Sequence, residues 1–293
     1  MTKAERQSLV AVPLVVLLGA GLAVAGSQGG ATVGGVGVFA VAVAVAFVIQ
    51  WVVFVPSFLA RTERFFDLTG SATYILVTLG IVVLSGGWDA RRVLLAALVL
   101  VWAVRLGTFL FGRVSRAGAD DRFDEIKGSF PRFLAVWTIQ GLWVSVTAAA
   151  AWIALSSSRQ VGIDAFAVIG LLLWMAGFAI EVVADRQKSR FRADPAHRGQ
   201  FISSGLWSRS RHPNYFGEIL LWVGVAVIAL PVLEGWQWIG LVSPVFVTVL
   251  LLRVSGVPLL EAKADAKWGG RPDYEEYKRT TPVLVPRLRG RAA

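Results

Sequence analysis

The sequence predicts an all-α protein, a multi-pass bundle of about eight transmembrane helices (range seven to ten) with both termini in the cytoplasm. Two observations support this class. Of the 293 residues, 56% are hydrophobic and only 16% are charged, whereas soluble domains carry about 25% charged residues. The apolar residues also come in blocks, such as GVFAVAVAVAFVIQWVVFV from Gly37, close to the ~20 residues that span a bilayer as a helix.

These blocks place the eight spans in order along the chain. We expect them at about residues 9–26, 34–55, 71–86, 92–111, 132–155, 162–183, 214–232 and 238–256. The first block is followed by GSQGGATVGGVG instead of a small-residue cleavage site, so it is predicted to be a span and not a signal peptide.

The basic residues predict the topology. With the N-terminus in the cytoplasm, 25 of the 29 Lys and Arg lie in inside segments and three in outside loops, as the positive-inside rule requires. The net charge of +10 therefore belongs to cytoplasmic loops, and no nucleic-acid partner is expected. We expect an integral membrane protein, of the plasma (inner) membrane if bacterial, whose active site faces the cytoplasm. The absence of cysteine excludes disulfides and thiolate catalysis, and two histidines make a metal site improbable.

The end of the sixth span, AIEVVADRQKSRFRADP, carries a stripe of charge. Glu181, Asp185, Lys188 and Arg192 follow at steps of four, three and four and share one helix face. The helix should end near Ala193, because a residue that precedes proline avoids the helical conformation. The stripe could be a self-paired solvated extension, but a carboxylate at the membrane edge usually faces a cavity or a partner.

The stretch SRSRHPNYFGE, residues 208–218, predicts the start of the seventh span. Pro213 suits the first position of a helix, and the free N–H groups there, next to Arg211, suit a phosphate. Asn214 and Glu218 are not explained by capping or by anchoring at the interface. A third cluster, in SGVPLLEAKADAKWGGRPDYEEYK, carries Glu261 and Tyr277. An amphipathic tail on anionic lipid is the simpler alternative, but three such clusters on one side of the membrane favour a shared site.

Three stretches, EVVADRQKSRFR, GLWSRSRHPNYFGE and SGVPLLEAK…RPDYEEYK…P, resemble in this order the C-terminal signature of the membrane-bound steroid 5-alpha-reductase family. They look most like its bacterial members of unassigned function. The signature is also similar to that of sterol C14 and C7 reductases and, more distantly, of isoprenylcysteine carboxyl methyltransferases. The resemblance covers about residues 105 to 286 and is strongest in the C-terminal half.

The resemblance implies that NADPH binds to this half from the cytosol and reduces an activated C=C bond, usually an enone, of a steroid or other lipid from the bilayer. Lys188 and Arg192 would meet phosphates or ribose, and Arg211 would add a further cationic contact. His212 and Asn214 would reach polar groups of the cofactor. Glu218 would bond to the nicotinamide amide or ribose. Asp185 would orient Lys188 or Arg211. Glu261 and Tyr277 would close the pocket, and Tyr215 is a further cofactor-binding residue that the resemblance implies.

The sequence departs from the family pattern in its N-terminal half. The reductases use a Gln–Glu pair in an early span and a tyrosine in a following one, but here Gln50 is followed by Trp51. The catalytic candidates are Tyr74, Gln50 and Asp67, and Tyr74 could instead be an interface anchor. Further candidates, in the loop after the fourth span, are Asp121, Arg122 and Asp124. Arg105, inside a span, should be paired or face a cavity.

These expectations divide the chain into N-terminal helices on the substrate side, residues 1–131, and a reductase-like part with the cofactor loops, residues 132–293. Two alternatives stay open: a membrane methyltransferase that uses S-adenosylmethionine, and a non-catalytic lipid-binding protein of the same fold. The abundance of Lys and Arg around residues 186–211 favours a cofactor that carries phosphates. The oligomeric state is not predicted.

Overall fold

The protein is an all-α membrane protein, as a computed structural model that describes residues 1–117 and 123–287 shows. Within these residues seven helices are long and apolar enough to cross a membrane. The number becomes eight if one pair of helices, bent by 61° at Ala148, forms a single span. The prediction of about eight spans is therefore confirmed, whereas the orientation of the termini stays a prediction.

The helices follow the predicted order. They are α1 (Lys3–Gly26), α2 (Val38–Leu59), α3 (Phe66–Leu84), α4 (Ala90–Ala117), α5 (Phe130–Thr147), α6 (Ala149–Ser156), α7 (Ala165–Ala193), α8 (Pro213–Ala229), α9 (Val242–Val249), α10 (Val257–Trp268) and α11 (Pro272–Thr280). A hairpin of β1 (Thr32–Val33) and β2 (Val36–Gly37), which the sequence did not predict, turns at Gly34 and Gly35, both with positive φ. The predicted helix end at Ala193 and helix start at Pro213 are confirmed.

The chain forms two compact units. Unit 1 consists of residues 1–167 and 228–243, and unit 2 of residues 168–227 and 244–293. The expected functional division near residue 131 stays a prediction.

Unit 1 contains α1 to α6, in which α2 packs against α5 and α3 against α4. Its core includes an aromatic cluster of Phe54, Phe123, Phe133 and Trp137. Arg91 is fully buried, forms an ion pair with Asp164 at 2.7 Å and donates hydrogen bonds to three carbonyl oxygens. A buried charge requires such complete pairing, so Arg91 is a structural residue.

Unit 2 is organised by the close approach of α7 and α8. A Cβ atom on Gly177 would lie 2.5 Å from the carbonyl oxygen of Gly217, and one on Gly217 would lie 2.6 Å from that of Gly177. A second close approach joins Gly224 to Gly170. Glycine lets two helix backbones touch in this way, and the contact fixes the start of α8 next to the charged end of α7.

Candidate functional site

A cavity of about 540 Å³ lies inside unit 2. The last turns of α7, the loop that leads to α8, and the helices α10 and α11 form its walls. Its lining residues are Lys188, Phe191, Arg192, His197, Arg198, Gly199, Gln200, Phe201, Ile202, Trp207, Arg211, His212, Leu260, Glu261, Lys263, Ala264, Lys267, Trp268, Tyr274 and Tyr277. Its volume lies within the range of small-molecule sites, about 300–1,000 Å³.

The lining is strongly cationic. Among the described residues it carries six Lys and Arg side chains, at positions 188, 192, 198, 211, 263 and 267, against a single carboxylate, Glu261. Aromatic rings occupy much of the remaining wall. Cations beside aromatic surfaces suit a ligand that combines phosphates with flat rings.

Glu261 joins α10 to the loop in front of α8. Its two oxygens lie 2.6 Å from Nη1 of Arg211 and 2.8 Å from Nε2 of His212. The exposed fractions are 22% for the Glu261 side chain, 13% for Arg211 and 6% for His212. These partly buried, charge-assisted bonds fix both side chains at the wall of the cavity.

Burial determines how His212 is protonated. Burial lowers the pKa of His212 more strongly than its bond to Glu261 raises it, so the imidazole is neutral at pH 7. A neutral ring that donates from Nε2 to the carboxylate keeps its lone pair on Nδ1. That atom is buried without a hydrogen-bond partner, and so is Nε of Arg211. The loop therefore offers one acceptor and one donor to a ligand.

Aromatic side chains fix the wall formed by α11. The hydroxyl of Tyr277 donates to the carbonyl oxygen of Trp207 at 2.8 Å, and burial raises the pKa of this phenol. The Lys188 ammonium lies 4.3 Å from the centroid of the Trp207 ring. Phe201 contacts the rings of Tyr274 and Tyr277 at centroid distances of 5.2 and 5.3 Å. Lys188 thus reaches the cavity on a rigid support.

An irregular segment after α11 holds the backbone of the same loop. The N–H groups of Arg211 and His212 donate to the carbonyl oxygens of Pro282 and Val283 at 2.9 and 3.1 Å. The N–H of Arg287 donates to the carbonyl oxygen of Arg209 at 3.0 Å. We call residues 282–287 the C-terminal strap. The strap satisfies backbone groups that a loop would otherwise leave to water.

Six of the ten residues predicted to bind a cofactor line this cavity. They are Lys188, Arg192, Arg211, His212, Glu261 and Tyr277. The other four lie near it in the chain but not in its wall. Asp185 is buried in α7, Glu218 is half-buried in α8, and the Tyr215 ring stacks on His212 at 5.6 Å. Asn214 has a buried Oδ1 without a hydrogen-bond partner. Asp185 was expected to orient Lys188 or Arg211; the structure pairs Arg211 with Glu261, and an orienting role of Asp185 toward Lys188 stays a prediction.

The three catalytic candidates lie in unit 1. Gln50 is fully buried in α2, and its Nε2 donates a hydrogen bond to Oγ1 of Thr73 at 2.8 Å. Thr73 directly precedes Tyr74 in α3, so the hydrogen bond joins Gln50 to the segment that carries Tyr74. Tyr74 is 4% exposed and packs edge-on against Trp102 at 5.1 Å. Such burial does not fit an anchor at the membrane interface. Asp67 is half-buried in the first turn of α3, about 10 Å from Tyr74 along the helix axis at ~1.5 Å per residue.

The other N-terminal candidates divide into described and undescribed residues. Asp121 and Arg122 lie outside the described residues. Asp124 pairs with Lys127 at 2.8 Å. Lys127 also lies 3.3 Å from the buried carboxylate of Glu63, a residue that the sequence analysis missed. The Arg105 guanidinium lies 5.2 Å from the Phe109 ring centroid.

Several lining residues were missed from the sequence. Arg198, Lys263, Lys267 and Trp268 were not among the predicted cofactor-binding residues, although Arg198 lies in the cation-rich stretch 186–211 that favoured a cofactor with phosphates. A signal was present, because Leu260, Ala264, Lys267 and Trp268 follow at helical spacing and define one face of α10. The position of Arg198 depends on a loop fold that no such spacing reveals.

Residues 51–281 match a family described as "Protein of unknown function (DUF1295)". An uncharacterized protein of Schizosaccharomyces pombe is 26% identical over 233 residues, which cover 68% of this chain and 64% of that protein. Steroid 5-alpha-reductase DET2 of Arabidopsis thaliana is 29% identical over 121 residues, 41% of this chain and 40% of that protein.

The 3-oxo-5-alpha-steroid 4-dehydrogenase 1 of Rattus norvegicus is 29% identical over 118 residues, 40% of each chain. The chain thus spans about two fifths of the length of the reductases that it matches. No solved structure shows a significant similarity to this chain.

Proposed function

The chain belongs to the DUF1295 family, within the steroid 5-alpha-reductase-like superfamily, and from this membership and the cavity we propose that it is a membrane oxidoreductase. The proposed reaction is the reduction of an activated C=C bond, an enone, in a steroid or another lipid with NADPH. The observation that carries the proposal is the cationic lining of the cavity, which has six Lys and Arg side chains against one carboxylate in the part of the chain that the structure describes.

This lining fits the chemistry of NADPH. Lys188, Arg192 and Arg211 would bind phosphate oxygens by charge-assisted hydrogen bonds. The buried Nδ1 of His212 would accept a hydrogen bond from a ribose hydroxyl, and Nε of Arg211 would donate one. Glu261, already bonded to both residues, would position them and would not itself bind the cofactor.

When it is bound, NADPH supplies a hydride to the electron-poor carbon of the enone. The chain's own residues must then stabilise charge on the enone oxygen and provide a proton. We assign this role to the hydroxyl of Tyr74, with Gln50 as the residue that orients the substrate carbonyl. Both side chains are buried, in surroundings where a hydrogen bond to a developing anion is stronger than in water.

The proposal places the cavity on the cytoplasmic face, where soluble NADPH is found, and draws the apolar substrate from the bilayer. In a bacterium the protein would lie in the plasma membrane. A membrane methyltransferase that uses S-adenosylmethionine is the second candidate. Its cofactor carries no phosphate, so it would leave most of the six cationic side chains without a role.

The direct test of the reaction is NADPH oxidation by the purified chain in proteoliposomes that contain a 3-oxo-4-ene steroid. We expect one double bond to be reduced for each NADPH consumed. Tyr74→Phe should lower the turnover number about 100-fold or more, because general-acid groups contribute about 10² to 10⁴ in rate.

Thr147→Val is the matched control, since it also removes one buried hydroxyl from unit 1 and should keep most of the activity. Methyl transfer from S-adenosylmethionine without NADPH oxidation would favour the methyltransferase. A folded protein that performs neither reaction on any enone lipid would overturn the proposal.

A further inference from the structure

We propose that Arg198 and Lys267 bind the 2′-phosphate of NADPH at the exposed end of the cavity and thereby select NADPH over NADH. This inference rests on the proposed function and adds a specificity-determining pair to it. Both residues line the cavity and both are exposed.

The first step is the position of Arg198. The residue that follows it, Gly199, has a φ of +80°, a conformation that favours glycine. The carbonyl oxygen of Gly199 accepts hydrogen bonds from Trp268 Nε1 at 2.8 Å and from the Arg271 guanidinium at 3.2 Å. These bonds fasten the loop to the end of α10. The backbone next to Arg198 is therefore bonded to Trp268, the residue that follows Lys267.

The second step is the state of the two charges. Three basic side chains close to this end in sequence are paired with carboxylates: Arg271 with Asp273, Lys278 with Asp265, and Arg279 with Glu276. Among the described residues, no carboxylate lies within 4.0 Å of Arg198 or Lys267. The Lys267 ammonium lies 4.8 Å from the centroid of the Trp268 ring instead. Two cations that line one cavity without a carboxylate partner suit a phosphate dianion.

The third step is the lack of an acidic group at this end. In Rossmann folds a carboxylate binds the ribose 2′-hydroxyl of NADH, whereas an arginine accommodates the 2′-phosphate of NADPH, and the same charge complementarity applies to any site for these ligands. Glu261 is the one carboxylate in the described lining, and it is held by Arg211 and His212. Trp268 and Phe201, with centroids 6.0 Å apart, provide aromatic surface for the base beside the cations.

The test compares the dissociation constants of NADPH and NADH for the full chain purified in detergent. The variants are Arg198→Gln, Lys267→Gln and the double substitution. Arg190→Gln is the matched control, because Arg190 is exposed on α7 and does not line the cavity. All substituted residues are exposed, and thermal unfolding of each variant checks that the fold is retained.

We expect the wild type to bind NADPH at least tenfold more tightly than NADH. Each single variant should weaken NADPH binding roughly ten- to a hundredfold, the usual loss of a hydrogen bond to a charged group. The affinity of these variants for NADH should change less than about threefold, and so should the affinity of Arg190→Gln for NADPH. Adenosine 2′,5′-bisphosphate should displace NADPH from the wild type better than adenosine 5′-monophosphate does. The two nucleotides should displace it equally well from the double variant.

Equal affinities of the wild type for the two dinucleotides would overturn this inference and leave the proposed function standing. The same holds if the variants lose both dinucleotides to the same extent, since the two cations would then bind a shared phosphate. A folded wild type that binds neither dinucleotide would overturn the proposed function and this inference with it.

Discussion

His212 Nε2 lies 2.8 Å from Glu261 Oε1, so a histidine at the start of α8 is bonded to a carboxylate of α10. The two residues are 49 positions apart in the chain. The second oxygen of Glu261 binds the neighbouring Arg211. One carboxylate therefore orders the loop that presents a cation, a buried acceptor and a buried donor to the cavity.

Substitution of Glu261 tests this organising role. Glu261→Ala should lower the free energy of unfolding of unit 2 by about 1–3 kcal/mol, because it leaves buried polar groups of Arg211 and His212 without partners. It should also weaken NADPH binding. Chemical denaturation and dinucleotide titration measure the two effects, and Glu275→Ala, an exposed change on α11, is the control. Full stability with full affinity would contradict the role.

The depressed pKa of His212 predicts a pH dependence of stability. The native state holds this imidazole neutral, whereas the unfolded chain takes up a proton near its ordinary pKa of 6.5. Stability from this group is therefore fully present above about pH 6.5 and is lost as the pH falls toward the lower native pKa. Melting temperatures between pH 8 and pH 5 should show a fall in the wild type that is smaller in His212→Gln. Parallel curves would contradict the prediction.

The close contact of α7 and α8 predicts the effect of one methyl group. Gly177→Ala would place its Cβ 2.5 Å from the carbonyl oxygen of Gly217, a backbone atom that cannot move alone. We expect a loss of about 1–3 kcal/mol, which is typical of overpacking. Gly80→Ala in α3 is the control, since a Cβ there meets no atom within 4 Å. Equal thermal stability of the two variants would show that the helices are not in contact as described.

The C-terminal strap predicts different results for two truncations. A chain that ends at Thr281 loses the carbonyl groups that hold the backbone of Arg211 and His212. Its NADPH affinity should fall about tenfold or more, because ordering the loop on binding costs about 1–2 kcal/mol per residue. A chain that ends at Arg287 keeps the strap and should bind as the wild type does. Equal NADPH affinity of the two truncated chains would contradict the claim that the strap orders the loop for binding.

The sequence predicted the helices well because each span is a long apolar block bounded by charge, by proline or by a glycine-rich stretch. Ala193 and Pro213 could be placed to the residue, since proline restricts both itself and the residue before it. The β1–β2 hairpin was missed because its strands have two residues each and lie in a glycine-rich stretch. Helix spacing also gave the face of α7 that carries Lys188 and Arg192 into the cavity.

The partners of these residues could not be predicted in the same way. The pairing of Glu261 with Arg211 and His212 joins segments about 50 positions apart, and no local spacing encodes it. The hydrogen bonds of the strap and the bond between Trp268 and the Gly199 carbonyl could not be predicted either, because they also join segments that are distant in the sequence. Local patterns determine which face a side chain occupies, whereas long-range contacts depend on how the helices pack.

The measurement that tests the central claim most directly is the titration of NADPH into the detergent-purified chain, as wild type, Lys188→Gln and Arg186→Gln. Both cations lie on α7, but only Lys188 lines the cavity. The account predicts saturable binding to the wild type, a loss of roughly tenfold or more in Lys188→Gln, and unchanged binding in Arg186→Gln. An equal loss in both variants, or a folded wild type that binds no NADPH, would contradict the claim that this cavity is a dinucleotide site.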